Sequence, residues 1–413
     1  MTPEGWQRRR VREFCERARR VNVDGVDLEP LSITKDRGVI LQSEKYNKRI
    51  ATDPRKYVFA EDGDFAFDPM SLYYGAIGRV GGIGRGLVSP DYVVFKADET
   101  VDGNFLHALL RYPEMHKLYE SLSETGNTFG KRRRLYWSIF EDIELELPPL
   151  AEQRKIAAIL SSVDEAVEAT QAVIDQLGVV KKAIMAELLT RGLPGRHTRF
   201  KQSEIGDVPE KWSVLPIERL IDFCDYGLSK SLTVQPGGVA VLRMGNLAGG
   251  RVVLDDLKYI DSSEVKDDLL LAPGDVLFNR TNSKDLVGKV GVFGGASFKV
   301  SFASYLLRLR PSAPHSGHWL GAVMNLESHQ AALRAMATPG VSQVNINRGK
   351  MLAMKVPVPP PEEQRDLMAI LSGLDERLAT ERAVASQIAA VKAALMSVLL
   401  TGEVRVKPDA SGS

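Results

Sequence analysis

Twice along this chain the apolar residues fall into a seven-residue rhythm, and the two stretches keep the same beat. In the first, Ile156, Leu160, Val163, Val167, Ile174, Leu177, Ile184 and Leu188 follow at intervals of three and four, with Thr170 and Lys181 in two polar seam positions. In the second, Leu367, Leu371, Leu374, Leu378, Ala385, Ile388, Leu395 and Leu399 repeat those intervals, with Glu381 and Lys392 in the matching places. Such spacing predicts long helices that bury one narrow stripe against a partner helix, as in a coiled coil. Polar residues inside a seam weaken it but pin its register.

The two stretches are copies. PPLAEQRKIAAILSSVDE opens the first and PPPEEQRDLMAILSGLDE the second; Gln153 and Gln364, Asp164 and Asp375, and Lys181 and Lys392 each stand 211 residues apart. A repeat of this length sets the architecture before any short motif does. Prolines stand where a helix can begin, with Glu152 and Glu362-Glu363 near the positive end of its dipole, and Gly192 and Gly402 supply stops. Each helix is expected to run about 40 residues, or ~60 Å. Gly178 and Gly373 lie inside them and each weaken the helix by about 1 kcal/mol relative to alanine. The linker after Gly192 offers some 15 residues, at most ~50 Å of reach. That is too short to run back along the rod, so an antiparallel pair is expected.

Outside the helices the pattern shortens to period two. Alternating runs at Tyr92–Phe95, Val252–Leu254 and Tyr305–Leu309 predict strands, and helices are expected around Asn104–Tyr119 and His318–Met336. These globular stretches also share landmarks: PEGW and PEKW, Gly63-Asp64 and Gly274-Asp275, and GRVG and GKVG. The expected fold is α+β, with two mixed α/β domains separated by two long antiparallel coiled-coil helices in an internal pseudo-two-fold repeat. Its parts are residues 1–147, a central helix at 148–192, a second domain at 193–358, a C-terminal helix at 359–402 and a flexible tail at 403–413.

Charge and composition narrow the function. Lys and Arg total 54 and Asp and Glu 53, for a net +1. A chain that holds DNA alone carries a basic surplus, so any such role needs attraction from another subunit. No run of ~18 apolar residues offers a membrane span, and the N-terminus lacks the apolar core of a signal peptide. Two cysteines, Cys15 and Cys224, are too few for a disulfide framework, which points to a reducing, cytoplasmic setting.

Catalytic motifs are missing. The sequence holds no P-loop and no Asn-Pro-Pro-Tyr or Asn-Pro-Pro-Phe methyltransferase tetrapeptide, and GRVGGIGRG lacks dinucleotide-binding spacing. His315 and His318 read as exposed turn residues without partner ligands. Asp64 and Asp275 read as tight turns entering strands. No catalytic residue, metal or cofactor of its own is expected.

Taken together, the two helix openings, IGDVPEKW, LAPGDVLFNRTNS with LVGKVGVF, GVSQVNIN, and in the first unit LSITKDRGVI, EDGDFAFDPM, YYGAIGRV and LVSPDYVVF resemble the specificity subunit of type I restriction–modification systems. The resemblance covers nearly the whole chain. It implies two target-recognition domains that read double-stranded DNA as an asymmetric bipartite target, on helices that dock two methyltransferase subunits. It also implies S-adenosylmethionine on that partner and room for restriction or translocase subunits.

DNA reading requires polar, basic and aromatic side chains on loops. The candidates in the first unit are Lys35, Arg37, Tyr46, Lys48, Arg49, Tyr73, Tyr74, Lys131, Arg132, Arg133 and Arg134. Those in the second are Ser229, Lys230, Arg243, Asn246, Arg280, Asn282, Lys284, Gln343, Asn345, Asn347 and Arg348. KRRRLYW and SQVNINRGK hold corresponding places before their helices. The competing reading is a coiled-coil scaffold with two protein-binding domains and no direct DNA contact.

Overall fold

A computed structural model describes residues 2–46, 53–125, 133–340 and 343–407. The chain forms two compact units. Unit one is Met1–Gln171 with Ala383–Ser413, and unit two is Ala172–Arg382. Each therefore contains a globular part and a segment of both long helices, which run Leu150–Arg191 and Pro361–Leu399.

The two globular parts are built to one plan. In unit one, strands Cys15–Ala18, Val93–Ala97, Phe65–Phe67 and Ile77–Arg79 lie side by side in that order, all antiparallel. Unit two opens its central sheet the same way, with Ile221–Tyr226, Leu306–Pro311, Val276–Asn279 and Val290–Val292. A two-stranded ribbon leads into each long helix, Gln7–Arg10 with Glu144–Leu147 and Ser213–Pro216 with Lys355–Val358. Cys15 and Cys224 lie on the corresponding first strands of these sheets, and both are buried and free. Burial pushes the Cys15 thiol up to about 12, which leaves it protonated and inert.

Each helical stretch read as continuous is in fact a pair. Gly103–Leu110 and Pro113–Leu122 divide at Pro113, whose ring can only begin a helix. Gly317–Met324 and Glu327–Ala335 divide at Asn325, whose amide bonds the Gly321 and Val290 carbonyls at 2.9 and 3.1 Å. Of the expected strand Val252–Leu254, only Val252 lies in a strand, the two-residue Arg251–Val252.

The Gly-Asp turns also do more than turn. Asp64 and Asp275 are 2% exposed; Asp64 accepts from the Glu61 amide and from Arg20, and Asp275 from the Ala272 amide and from Nε and Nη2 of Arg310 at 2.7 Å each. Each turn is thus tied to its sheet by a buried, charge-assisted bond.

The helix segments run in opposite senses within each unit. In unit one, Ile156, Ala157 and Leu160 share a core with Leu395, Met396 and Leu399. In unit two, Ile184, Met185 and Leu188 share one with Leu367 and Leu371. Ile156, Leu160, Ile174, Leu188, Leu367, Leu371, Leu378 and Leu399 are buried, and Val163, Val167, Leu177, Ile184, Leu374, Ile388 and Leu395 half-buried. The two seam lysines meet carboxylates: Lys392 pairs with Asp164 in unit one and Lys181 with Asp375 in unit two. An amphipathic lysine can bury its stem in a seam while its ammonium reaches such a partner.

Two expectations need correction here. The second long helix contains an 18-residue window of mean hydropathy 1.3, apolar enough by length and composition to cross a membrane. Alanines raise that mean without forming an unbroken apolar run, and Lys392 within the same helix is ion-paired. The tail, expected to be flexible from 403, is held through residue 406. Arg405 grips Glu152 with two 2.8 Å bonds, and Val406 packs on the core of unit one.

Candidate nucleic-acid interface

The signature Glu-Gln at each helix start explains how the globular parts are mounted. Gln153 accepts from the Asp102 amide at 2.8 Å and donates to the Pro148 carbonyl at 2.8 Å. Gln364 accepts from the Ser316 amide at 3.1 Å and donates to the Pro359 carbonyl at 3.0 Å. Asp102 and Ser316 are the N-caps of equivalent domain helices, so one side chain ties a domain helix to a long helix in each unit. The preceding glutamates are buried as well, and are not simply dipole partners. Glu152 binds Arg405, whose guanidinium lies over Trp6, while Glu363 binds His197 at 2.7 Å and the Trp212 indole at 3.0 Å.

On this mount the candidate readers fall into two groups. Some are already matched by carboxylates: Arg37 by Glu44, Arg133 by Glu120 at 2.8 Å, Arg134 by Asp91 at 3.9 Å, Lys230 by Glu264 at 2.9 Å and Arg243 by Asp256 at 2.7 Å. Lys35, Ser229 and Lys284 are exposed, as is Tyr46 with Lys45 over its ring. Tyr73 and Tyr74 lie ring to ring at 4.1 Å, with Arg133 over Tyr73 at 6.0 Å. Lys48, Arg49, Lys131 and Arg132 lie outside the described residues.

Two candidates hold structural posts instead. Asn246 is 4% exposed; its oxygen accepts from the Arg243 amide and its nitrogen donates to the Val253 and Asp255 carbonyls, so it has no edge left to offer. Asn347 caps the short helix Arg348–Leu352 by accepting from the Gly349 and Lys350 amides. Asparagine suits caps and turns for the same reason that it suits bases, a short side chain with both donor and acceptor. His315 also departs from its reading as an exposed residue. It is half-buried beside Trp319 and Gln364, and burial lowers its pKa.

The sequence places KRRRLYW and SQVNINRGK alike, and the structure gives both a strand of a small ribbon after the paired helices. Arg133–Arg134 pairs with Glu124–Thr125, and Val344–Asn345 with Thr338–Pro339. Unit two adds a third strand, Thr281–Asn282, in register with Asn345 and Val344. This gathers Arg280, Asn282, Asn345 and Arg348 from distant stretches of chain. Arg280 is fixed by backbone bonds to Tyr305 and Ile346.

A residue missed in the sequence completes the group. Tyr226, 45% exposed at the end of strand Ile221–Tyr226, has Arg280 over its ring at 5.1 Å and Arg348 at 5.9 Å. The Asp-Tyr-Gly step that ends the strand was the available signal. Arg348 also lies near the buried Cys224 thiol and opposes the rise that burial gives its pKa.

A family model described as type I restriction modification DNA specificity domain matches residues 46–178 and 209–390, one segment per globular part. The chain belongs to this family. It is 28% identical over 275 residues to the type I restriction enzyme MjaVIII specificity subunit of Methanocaldococcus jannaschii, covering 65% of this chain and 64% of that protein. With the EcoKI specificity subunit of Escherichia coli it shares 24% identity over 232 residues, 55% of this chain and 50% of that protein. The matches thus span between half and just under two thirds of these curated relatives.

Solved structures match over more of the chain. One, from work on complex assembly and conformational transition of the type I R-M system, has a TM-score of 0.60 at 17% identity, covering 98% of this chain and all of the other. The type I restriction–modification S subunit from M. genitalium gives 0.53 at 10% identity, covering 95% and 96%. At such identities the likeness concerns the fold.

Proposed function

We propose that this chain is the DNA-specificity subunit of a type I restriction–modification complex, reading an asymmetric bipartite target with its two globular parts. The observation that carries the reading is one scaffold built twice with unlike additions. Unit one adds hairpins Leu31–Thr34 with Gly38–Leu41 and Val58–Glu61 with Arg85–Val88. Unit two instead adds a three-stranded sheet of Lys258–Ile260, Val239–Leu242 and Val300–Phe302. Like mounts carrying unlike surfaces suit two half-sites of different sequence.

The long helices serve as an antiparallel coiled-coil spacer related by a pseudo-two-fold axis. At ~60 Å the rod spans half-sites about one turn, ~34 Å, apart. Two methyltransferase subunits dock on it. In support, only 6% of the apolar window of the second helix is buried, which leaves helical surface for further partners. The chain is non-catalytic. Base flipping and methyl transfer from S-adenosylmethionine belong to the partner, translocation and cleavage to a third subunit, and the complex works in the cytoplasm. The near-neutral net charge fits a subunit that borrows phosphate attraction from its partners.

Co-expression with the neighbouring methyltransferase gene product in a host free of background methylation tests this. One methylated bipartite motif is expected. Methyl transfer by the chain alone, or no methylated motif with the partner present, would overturn the proposal.

A further inference from the structure

In unit two, four cations near the sheet come with their own counter-charges. Arg308 has Asp225 at 2.5 Å, Arg310 has Asp275, Lys230 has Glu264 and Arg243 has Asp256. Arg280 and Arg348 differ from these four, and are less exposed than the unmatched Lys284 and Lys289: among the described residues neither arginine has a carboxylate within ion-pair distance. Both nonetheless stand over the single ring of Tyr226. Two like charges gathered at one ring repel each other. The ring's quadrupole offsets only part of that at exposed sites. A fold with no other use for them would gain by adding an acid, as it does four times nearby.

We propose that Arg280 and Arg348 form a guanine-reading pair in the second unit, with Tyr226 as the positioning residue that holds both guanidiniums. This rests on the DNA-reading function proposed above. A phosphate contact needs only a nearby charge, and a flexible lysine supplies that. A stacked guanidinium is oriented, and its fork matches the O6 and N7 acceptors of guanine. The neighbours point the same way. Asn345 sits on the strand paired with Thr281–Asn282 beside Arg280, and an amide can satisfy adenine as a guanidinium satisfies guanine. Arg133 over Tyr73 in unit one repeats one guanidinium–ring contact, but there Glu120 already neutralises the arginine.

The test uses the full chain in complex with its methyltransferase, on duplexes carrying the mapped target. Each guanine in turn is replaced by 7-deazaguanine, which removes the N7 acceptor. The wild-type complex should lose affinity between about 5- and 150-fold at one or two guanines of one half-site. Arg280→Ala and Arg348→Ala should each become indifferent to replacement at one of those guanines. Both should keep or raise the melting temperature of the free chain, since a repulsion is relieved. Tyr226→Phe should behave as wild type, whereas Tyr226→Ala should weaken discrimination at both positions.

Equal weakening on every duplex, with deazaguanine sensitivity unchanged, would mean phosphate contact and overturn the guanine assignment alone. A lower melting temperature with unchanged DNA binding would assign the arginines to the fold and also overturn it. A wild-type complex that binds no duplex preferentially would remove the DNA-reading function, and this inference with it.

Discussion

Glu152 and Glu363 occupy the same place in the two copies of the helix, yet they are satisfied by different means. In unit one the partner is Arg405, 41% exposed and always charged; in unit two it is His197, 6% exposed, joined by the Trp212 indole. Both partners reach back from the segment that follows a helix end. The repeat thus prescribes a buried carboxylate and leaves its hydrogen-bond partner to the local chain. The lesson extends to the surfaces, where unit one matches Arg133 and Arg134 with acids and unit two leaves Arg280 and Arg348 unmatched among the described residues.

The severest way to break the comparison is through the seam. Leu160→Asp and Leu371→Asp each bury an unpaired charge in the core of one unit and should cost about 4 kcal/mol or more. Thermal unfolding with limited proteolysis should find the first change opening unit one and the second opening unit two. Loss of the whole chain in both cases would show that the units do not fold separately.

Next come the carboxylates themselves. Leaving a buried polar group without its hydrogen-bond partner costs about 1–3 kcal/mol. Glu363→Ala leaves two such groups, the His197 imidazole and the Trp212 indole, and should cost about 2–5 kcal/mol. Glu152→Ala should cost less, about 1–2 kcal/mol, because Arg405 can turn to water. Urea unfolding that gave equal losses would reject partner exposure as the deciding factor.

A smaller effect concerns pH. Burial lowers the His107 pKa in unit one from its ordinary 6.5 to about 4, with Arg111 and Arg79 adding to the shift. The unfolded chain then takes up a proton that the folded chain refuses. Stability is full above about 6.5 and falls as the pH drops toward about 4. Glu152, held below the usual carboxylate range by its bonds to Arg405, acts in the same direction at still lower pH. His107→Gln should flatten the melting curve of unit one between those values; an unchanged slope would place the proton uptake elsewhere.

The smallest expected change is a gain. Gly178 and Gly373 both fall in unit two, and a Cβ at either meets open space. Alanine at each should add about 0.5–1 kcal/mol, measured as a higher melting temperature of unit two with unit one unaffected.

Much was written in the chain. Periodicity marks the residues that avoid solvent, because a helix facing another helix must place its apolar groups every three or four positions whatever surrounds it. Repetition marks the shared plan, down to a ribbon in corresponding places at KRRRLYW and SQVNINRGK. The roles of single polar residues were less legible. Asn246, Asn282, Asn345 and Asn347 look alike in sequence; one is sealed in a turn, one caps a helix and two lie on paired strands. Local propensity cannot separate these outcomes, because each depends on which distant backbone groups arrive nearby.

By itself, then, the sequence determined the doubled architecture and the stripe that holds each pair of helix segments, since both follow from spacing along one strand of information. Only the tertiary structure decided which charges are spent inside the fold and which remain available. Arg308 and Arg280 are 28 residues apart and chemically identical. The fold brings Asp225 to the first and a bare tyrosine ring to the second, and pairing of that kind is set by three-dimensional proximity.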